Sequence, residues 1–276
     1  MHRSDRLRSP FRTGFAAACA VLLVAALAPA ALADDYDYDY DDDSSAEEFD
    51  SATWPLRYTR RPLVLAKGMA EIKAALGVDL SADVAFDTVF LAPSLMYGVS
   101  RQLTVGVDHE RGVCFTSACG KTYNDIGLVA LYSLMGKGSL QVAAQGGLRI
   151  PAFDPFAIGV EAGIDLRLTA GNLAIRTEPL FYFGVTKRDE VRKDVVSVPV
   201  WIELQVNEQT AAFLQSGISG PLSGFSDGYA VPVGIGAVFA VSNRIDVGGE
   251  VTFTNVGGAN GGADGRVLLA RAAFRI

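Results

Sequence analysis

Between Val160 and Leu168 the chain reads VEAGIDLRL, with apolar residues at every second position and Glu161, Gly163, Asp165 and Arg167 between them. A period of two sends successive side chains to opposite faces, so this is a β-strand with one dry and one wet face. The wet face carries full charges of both signs. The same alternation recurs to the end of the chain and predicts twelve strands, at 68–80, 89–99, 103–110, 123–135, 139–150, 157–169, 173–185, 195–206, 210–218, 229–241, 245–255 and 266–276. Most run 9 to 13 residues. That length suits a tilted strand crossing a bilayer and exceeds the ~5–6 residues of an ordinary globular strand.

The connections sort into two classes that alternate along the chain. Tight ones are SRQ (100–102), GKG (136–138), AGN (170–172), NEQ (207–209) and SNR (242–244). Longer polar or Gly-rich ones fall at 81–88, 111–122, 151–156, 186–194, 219–228 and 256–265. Tight turns at one end and long loops at the other are the pattern of a closed antiparallel transmembrane β-barrel, and a β-sandwich has no reason to sort its loops this way. Both termini then fall on the tight-turn, periplasmic side. Outward positions such as Ile72, Leu76, Leu128, Leu148, Ile164, Ile235 and Leu268 are apolar. Outward aromatics gather at strand ends: Tyr97, Tyr132, Phe239 and Phe274 toward the tight turns, and Phe181, Phe183, Tyr229 and Phe253 toward the long loops. Two such belts mark the two membrane–water interfaces. The dry side of VEAGIDLRL is therefore lipid. The strand 210–218 has the least fixed register, with Phe213 and Trp201 pointing inward.

Residues 1–33 read as a cleaved signal peptide. Arg3, Arg6, Arg8 and Arg12 precede an apolar Ala-rich run, and Ala31-Leu32-Ala33 supplies the small-x-small site. Residues 34–50 hold ten acids and no base, an acidic tail whose repelling carboxylates predict disorder. The net charge of −7 comes from this tail, because residues 51–276 carry 20 bases and 20 acids. Nothing in that balance suggests a nucleic-acid partner. Residues 51–67 form a periplasmic lead-in and 68–276 the barrel. Cys114 and Cys119, close together in an exported chain, read as a disulfide. Two cysteines and the lone mature-chain histidine, His109, make no metal site, and no cofactor motif is present.

The last strand, RVLLARAAFRI, alternates apolar residues up to Ile276 with Arg271 and Arg275 between. It resembles the C-terminal strand that bacterial outer-membrane barrels present to their assembly machinery, although an aromatic is usual at the final position. The stretch RRPLVLAKGMAEI (Arg60 to Ile72) is similar to the segment leading into the first strand of many proteobacterial porin-like proteins. The resemblance covers residues 60–276 as a class, with no specific family. It implies outer-membrane location and a surround of lipid and lipopolysaccharide.

On this register the lumen is lined by Glu71, Lys73, Asp108, Asp125, Arg149, Glu161, Asp165, Arg167, Arg176, Glu178, Glu203, Asp246, Glu250, Arg271 and Arg275. Such charges pair across strands, and closure brings Arg271 and Arg275 beside Glu71 and Lys73. Eight strands leave room only for side chains and sixteen an aqueous channel, so twelve is intermediate. Inward glycines, among them Gly98, Gly106, Gly127, Gly159 and Gly236, either leave a narrow passage or ease strand curvature. The expectation is a narrow passive channel for small polar or cationic solutes. The alternative is a structural or binding barrel with a blocked lumen, acting through its outer loops or acidic tail. An enzyme is disfavoured, because nucleophilic hydrolysis needs a base beside a nucleophile and His109 in DHERG has no nearby Ser in sequence.

Overall fold

The computed structural model describes residues 49–81, 85–119, 121–136, 138–188, 190–259 and 261–276. The signal peptide and nearly all of the acidic tail lie outside them. Alternating sequence becomes strand throughout: β1 (Ala70–Asp79), β2 (Val89–Gly98), β3 (Leu103–Cys114), β4 (Tyr123–Met135), β5 (Leu140–Phe153), β6 (Phe156–Ala170), β7 (Leu173–Thr177), β8 (Leu180–Gly184), β9 (Val195–Gln205), β10 (Thr210–Pro221), β11 (Val233–Ala240), β12 (Ile245–Phe253) and β13 (Arg266–Arg275). Every neighbouring pair is antiparallel, and β13 pairs with β1 from Glu71↔Arg275 to Asp79↔Val267, closing the sheet on itself. The thirteen segments make twelve staves. β7 and β8 both pair with β6 and β9, so they are successive halves of the single strand expected at 173–185, interrupted at Glu178-Pro179. Pro179 has no N–H for the ladder, while its carbonyl still accepts from Ile164 N at 3.0 Å.

The outer face is apolar and open to its surroundings. Ile235, Leu128 and Ile276 are 66%, 54% and 57% exposed. Closure satisfies the backbone of every stave internally, as a bilayer requires. Tyr97, Tyr132, Phe239 and Phe274 are exposed near the tight turns and Phe181 and Phe183 near the long loops, where Tyr123, Phe153 and Phe156 join them. Among the described residues no helix is long and apolar enough to cross a membrane.

Several boundaries move. The long connection expected at 151–156 is a two-residue turn, Asp154-Pro155, because the β5–β6 ladder resumes after a register shift and reaches Phe153↔Phe156. β3 runs on to Cys114 past a bulge between His109 and Gly112, where Gly112 takes φ 63°. β10 extends to Pro221, and its register against β9 is unbroken from Ala211↔Gln205 to Pro221↔Val195. β11 starts at Val233 rather than at 229. Tyr229 stacks on Phe225 of the four-residue helix Phe225–Gly228, so it belongs to the loop and not to a strand end. Cys114 and Cys119 are joined by a disulfide across the start of the β3–β4 loop.

Inward glycines are covered, not vacant. A Cβ on Gly77, Gly159 or Gly236 would lie 2.1, 2.3 or 2.4 Å from the ring of Phe90, Tyr182 or Phe213 on the next strand. At Gly127 it would meet Asp108 Oδ1 at 2.2 Å and Arg149 Nη2 at 2.9 Å. These positions are small so that a ring or a guanidinium can lie flat against the wall. They do not hold a passage open.

Candidate functional site: the charged lumen and its N-terminal plug

Residues 49–69 are more than a tether to the barrel. They fold into its tight-turn mouth, where Trp54, Leu65, Ala66 and Met69 make a small buried apolar cluster. A single turn of 3₁₀ helix, Tyr58–Arg60, stands at its centre. Polar bonds tie the segment to inward side chains around the wall. Asn243 Nδ2 donates to Trp54 O at 2.7 Å, Thr104 Oγ1 accepts from Leu65 N at 2.8 Å, and Gln205 Oε1 accepts from Thr59 N at 3.2 Å. Arg167 Nη1 donates to Arg61 O at 2.6 Å. Arg61 forks onto Asp246 at 2.6 and 2.8 Å, the two-point geometry that suits guanidinium and carboxylate. The Tyr58 ring lies beneath both Arg61 and Arg167, at 5.3 and 5.7 Å. Where the segment begins, Asp50 accepts from the backbone amides of Thr53 and Ala52 and from the Thr53 hydroxyl, which holds its carboxyl below the ordinary value. That turn is therefore complete at neutral pH and loosens only in acid strong enough to protonate Asp50.

Beyond the plug the lumen is built from ion pairs. On β12, β13 and β1, Arg275 bridges Asp246 and Glu71, the second at 2.7 Å. Lys73 reaches Glu71 at 2.7 Å and Arg271 reaches Glu250 at 2.9 Å. Arg275 does face Glu71 in the ladder, but Arg271 is opposite Ala75 and finds its carboxylate on β12 instead. On the far side, Arg176 holds Asp165 at 2.6 Å and also pairs with Glu178. Arg167 and Arg176 are direct ladder neighbours. Their like charges are tolerated because Arg167 turns away to Glu203 at 3.6 Å and to the plug. Toward the long loops, Arg149 gathers three carboxylates: Glu161 at 2.6 Å, Asp125 at 2.9 Å and Asp108 at 3.1 Å. Arg192 descends from the 185–194 loop to Glu110 at 3.0 Å and lies 4.5 Å from the Tyr182 ring. Burial opposes its charge, but Glu110 outweighs that and raises its pKa.

Between plug and loops lies a cavity of about 590 Å³. Glu71, Asp165, Glu203, Asp246 and Glu250 are buried beneath their cationic partners, whereas the side chains of Lys73 and Arg271 are 53% and 47% exposed. Trp201 and Phe213 also line the space. The fifteen charged residues expected to face inward thus all engage in ion pairs. The alternation did not point to Trp54, Tyr58, Arg61 or Arg192, whereas Glu110 shares the face of Asp108 at the very end of its expected strand. Of these, Arg61 lies in the lead-in and Arg192 in the long polar connection expected at 186–194, neither of which alternates. His109 fills the β3 bulge, with Nδ1 2.7 Å from Pro93 O and Nε2 2.7 Å from Tyr123 Oη. Among the described residues no group of three or more His, Cys, Asp and Glu side chains is placed to hold a metal ion.

No family model matches the chain, and no curated protein matches its sequence. Solved structures do match in shape. The NanC porin superimposes with a TM-score of 0.57 at 9% identity, over 74% of this chain and 100% of that one. The KdgM porin in complex with disordered oligogalacturonate gives 0.55 at 8% identity, over 74% and 98%. The COG4313 outer membrane channel from Pseudomonas putida F1 gives 0.54 at 12% identity, over 77% and 97%. The fold shared with them is that of an outer-membrane, porin-like β-barrel, and no individual family is singled out.

Proposed function

We propose that this barrel is a narrow passive channel for small polar solutes, with a weak preference for cations. The observation that carries the reading is the cavity of about 590 Å³ in mid-lumen, where charged side chains such as Lys73, Asp108, Glu178 and Arg271 stand among apolar ones. A lumen filled for stability alone has no need of half-exposed Lys73 and Arg271. The inward groups comprise ten carboxylates (Glu71, Asp108, Glu110, Asp125, Glu161, Asp165, Glu178, Glu203, Asp246, Glu250) and eight cationic groups (Arg61, Lys73, Arg149, Arg167, Arg176, Arg192, Arg271, Arg275). Such a small acidic surplus favours cations modestly. That the similar folds are two porins and an outer membrane channel supports the reading.

The plug favours a second reading, a binding or structural barrel whose lumen stays shut. One experiment separates them. Single-channel conductance of the purified protein in a planar bilayer, under a salt gradient, gives small discrete steps and a mildly cation-selective reversal potential if the channel conducts. A protein that inserts and stays silent overturns the channel reading in favour of the shut barrel.

A further inference from the structure

The ion pairs are distributed unevenly around the cavity. The wall formed by β12, β13 and β1, with Arg61 of the plug, holds four cationic groups (Arg61, Lys73, Arg271, Arg275) against three carboxylates (Glu71, Asp246, Glu250). The wall formed by β6, β7 with the break that follows it, and β9 holds two (Arg167, Arg176) against three at this level (Asp165, Glu178, Glu203), Glu161 of β6 being paired with Arg149 of β5. One wall is positive and the other negative. The most exposed charged groups at this level are Lys73 and Arg271 on the first wall; the second presents Glu178 at 29% together with its partner Arg176 at 23%. In the closed order of staves, β1 and β7 stand opposite one another. Lys73 and Glu178 line the same cavity from these two sides. Within the barrel Lys73 and Arg271 are diagonal neighbours, since Lys73 pairs with Ala273 and Arg271 with Ala75. Diagonal positions on one face lie about 7–8 Å apart, within reach of two long side chains converging on one anion.

We infer that this level of the lumen is a recognition site for small zwitterionic solutes, the carboxylate taken by Lys73 and Arg271 and the ammonium turned toward Glu178. The inference rests on the channel reading and gives it a solute class. A simple anion is attracted by one wall and repelled by the other, and a simple cation the reverse. A molecule with both charges satisfies both walls at once, with hydrogen bonds to charged groups at each end.

The test is block of the ionic current through the purified protein in a planar bilayer by glutamine, set against acetate and ethylammonium at equal concentration. Glutamine is expected to reduce the current at concentrations where the other two do not. Lys73→Gln is the informative variant, because Glu71 keeps Arg275 and the wall stays folded. It should raise the half-blocking glutamine concentration about tenfold, the scale of one charge-assisted hydrogen bond. Arg271→Gln should act likewise and Arg271→Lys should restore block. Lys121→Gln, in an outer loop, serves as the control. Equal block by acetate, or block unchanged in Lys73→Gln, overturns the inference while leaving the channel intact. If the protein inserts without conducting, the channel reading fails separately. Binding is then read from Trp201 in detergent micelles with Trp54→Phe: a glutamine-dependent emission change lost in Lys73→Gln supports the site, and a flat titration overturns it.

Discussion

Arg149 shows how much a single inward side chain organises. It is 3% exposed, it sits between Asp108, Asp125 and Glu161, and it lies flat over Gly127 because that residue has no Cβ. Three carboxylates so close together repel, and burial penalises each, so the guanidinium is what makes their burial tolerable. Arg149→Met removes the charge and keeps much of the bulk. It is expected to destabilise the barrel by about 3–5 kcal/mol, the scale for orphaning buried charge. The check is the urea midpoint of refolding, followed by the gel mobility of the folded form. An unchanged midpoint would mean that water replaces the arginine without penalty.

Among the strands, the glycines and rings of the lumen wall behave as joints between neighbouring staves. Gly159→Ala drives a methyl into the Tyr182 ring and should cost about 1–3 kcal/mol, as overpacking does. Tyr182→Ala vacates the space, so the double variant should cost less than the sum of its parts, measured as non-additive urea midpoints. The Cys114–Cys119 disulfide closes a loop of sequence separation 5, which makes it a local staple worth about 2 kcal/mol. The Cys114→Ser/Cys119→Ser variant should still refold to a barrel, with only that loss in its unfolding free energy. Strand existence was legible because the period of two is enforced by lipid on one side and charge on the other. Boundaries were less so: the β5 and β6 ends turn on a two-residue Asp-Pro connection whose polarity matches that of a longer loop. The glycine joints and the plug were illegible for a different reason. Both depend on which non-neighbouring groups closure brings together, and Trp54 or Tyr58 carry no periodicity that announces a place inside a barrel.

At the level of the whole molecule, the plug decides how the lumen behaves. Its bonds to Asp246, Gln205, Thr104 and Arg167 come from several strands, so it spans the mouth instead of lining one side. A variant lacking residues 49–67 keeps all twelve staves and their ladders. It should form a barrel of clearly larger single-channel conductance and stronger cation preference, since Arg61 is lost while Asp246 remains. Unchanged conductance would place the narrowest point elsewhere in the lumen. The plug also has a bearing on biogenesis. It precedes β1 in the chain, yet Arg275 of the final strand lies over Trp54 at 5.6 Å and shares Asp246 with Arg61. The earliest and latest parts of the mature barrel therefore meet at one point, beside the β1–β13 seam. A chain cut short before β13 can neither shut the sheet nor supply Arg275 to Trp54 and Asp246, so closing the barrel and seating its N-terminal segment draw on the same strand.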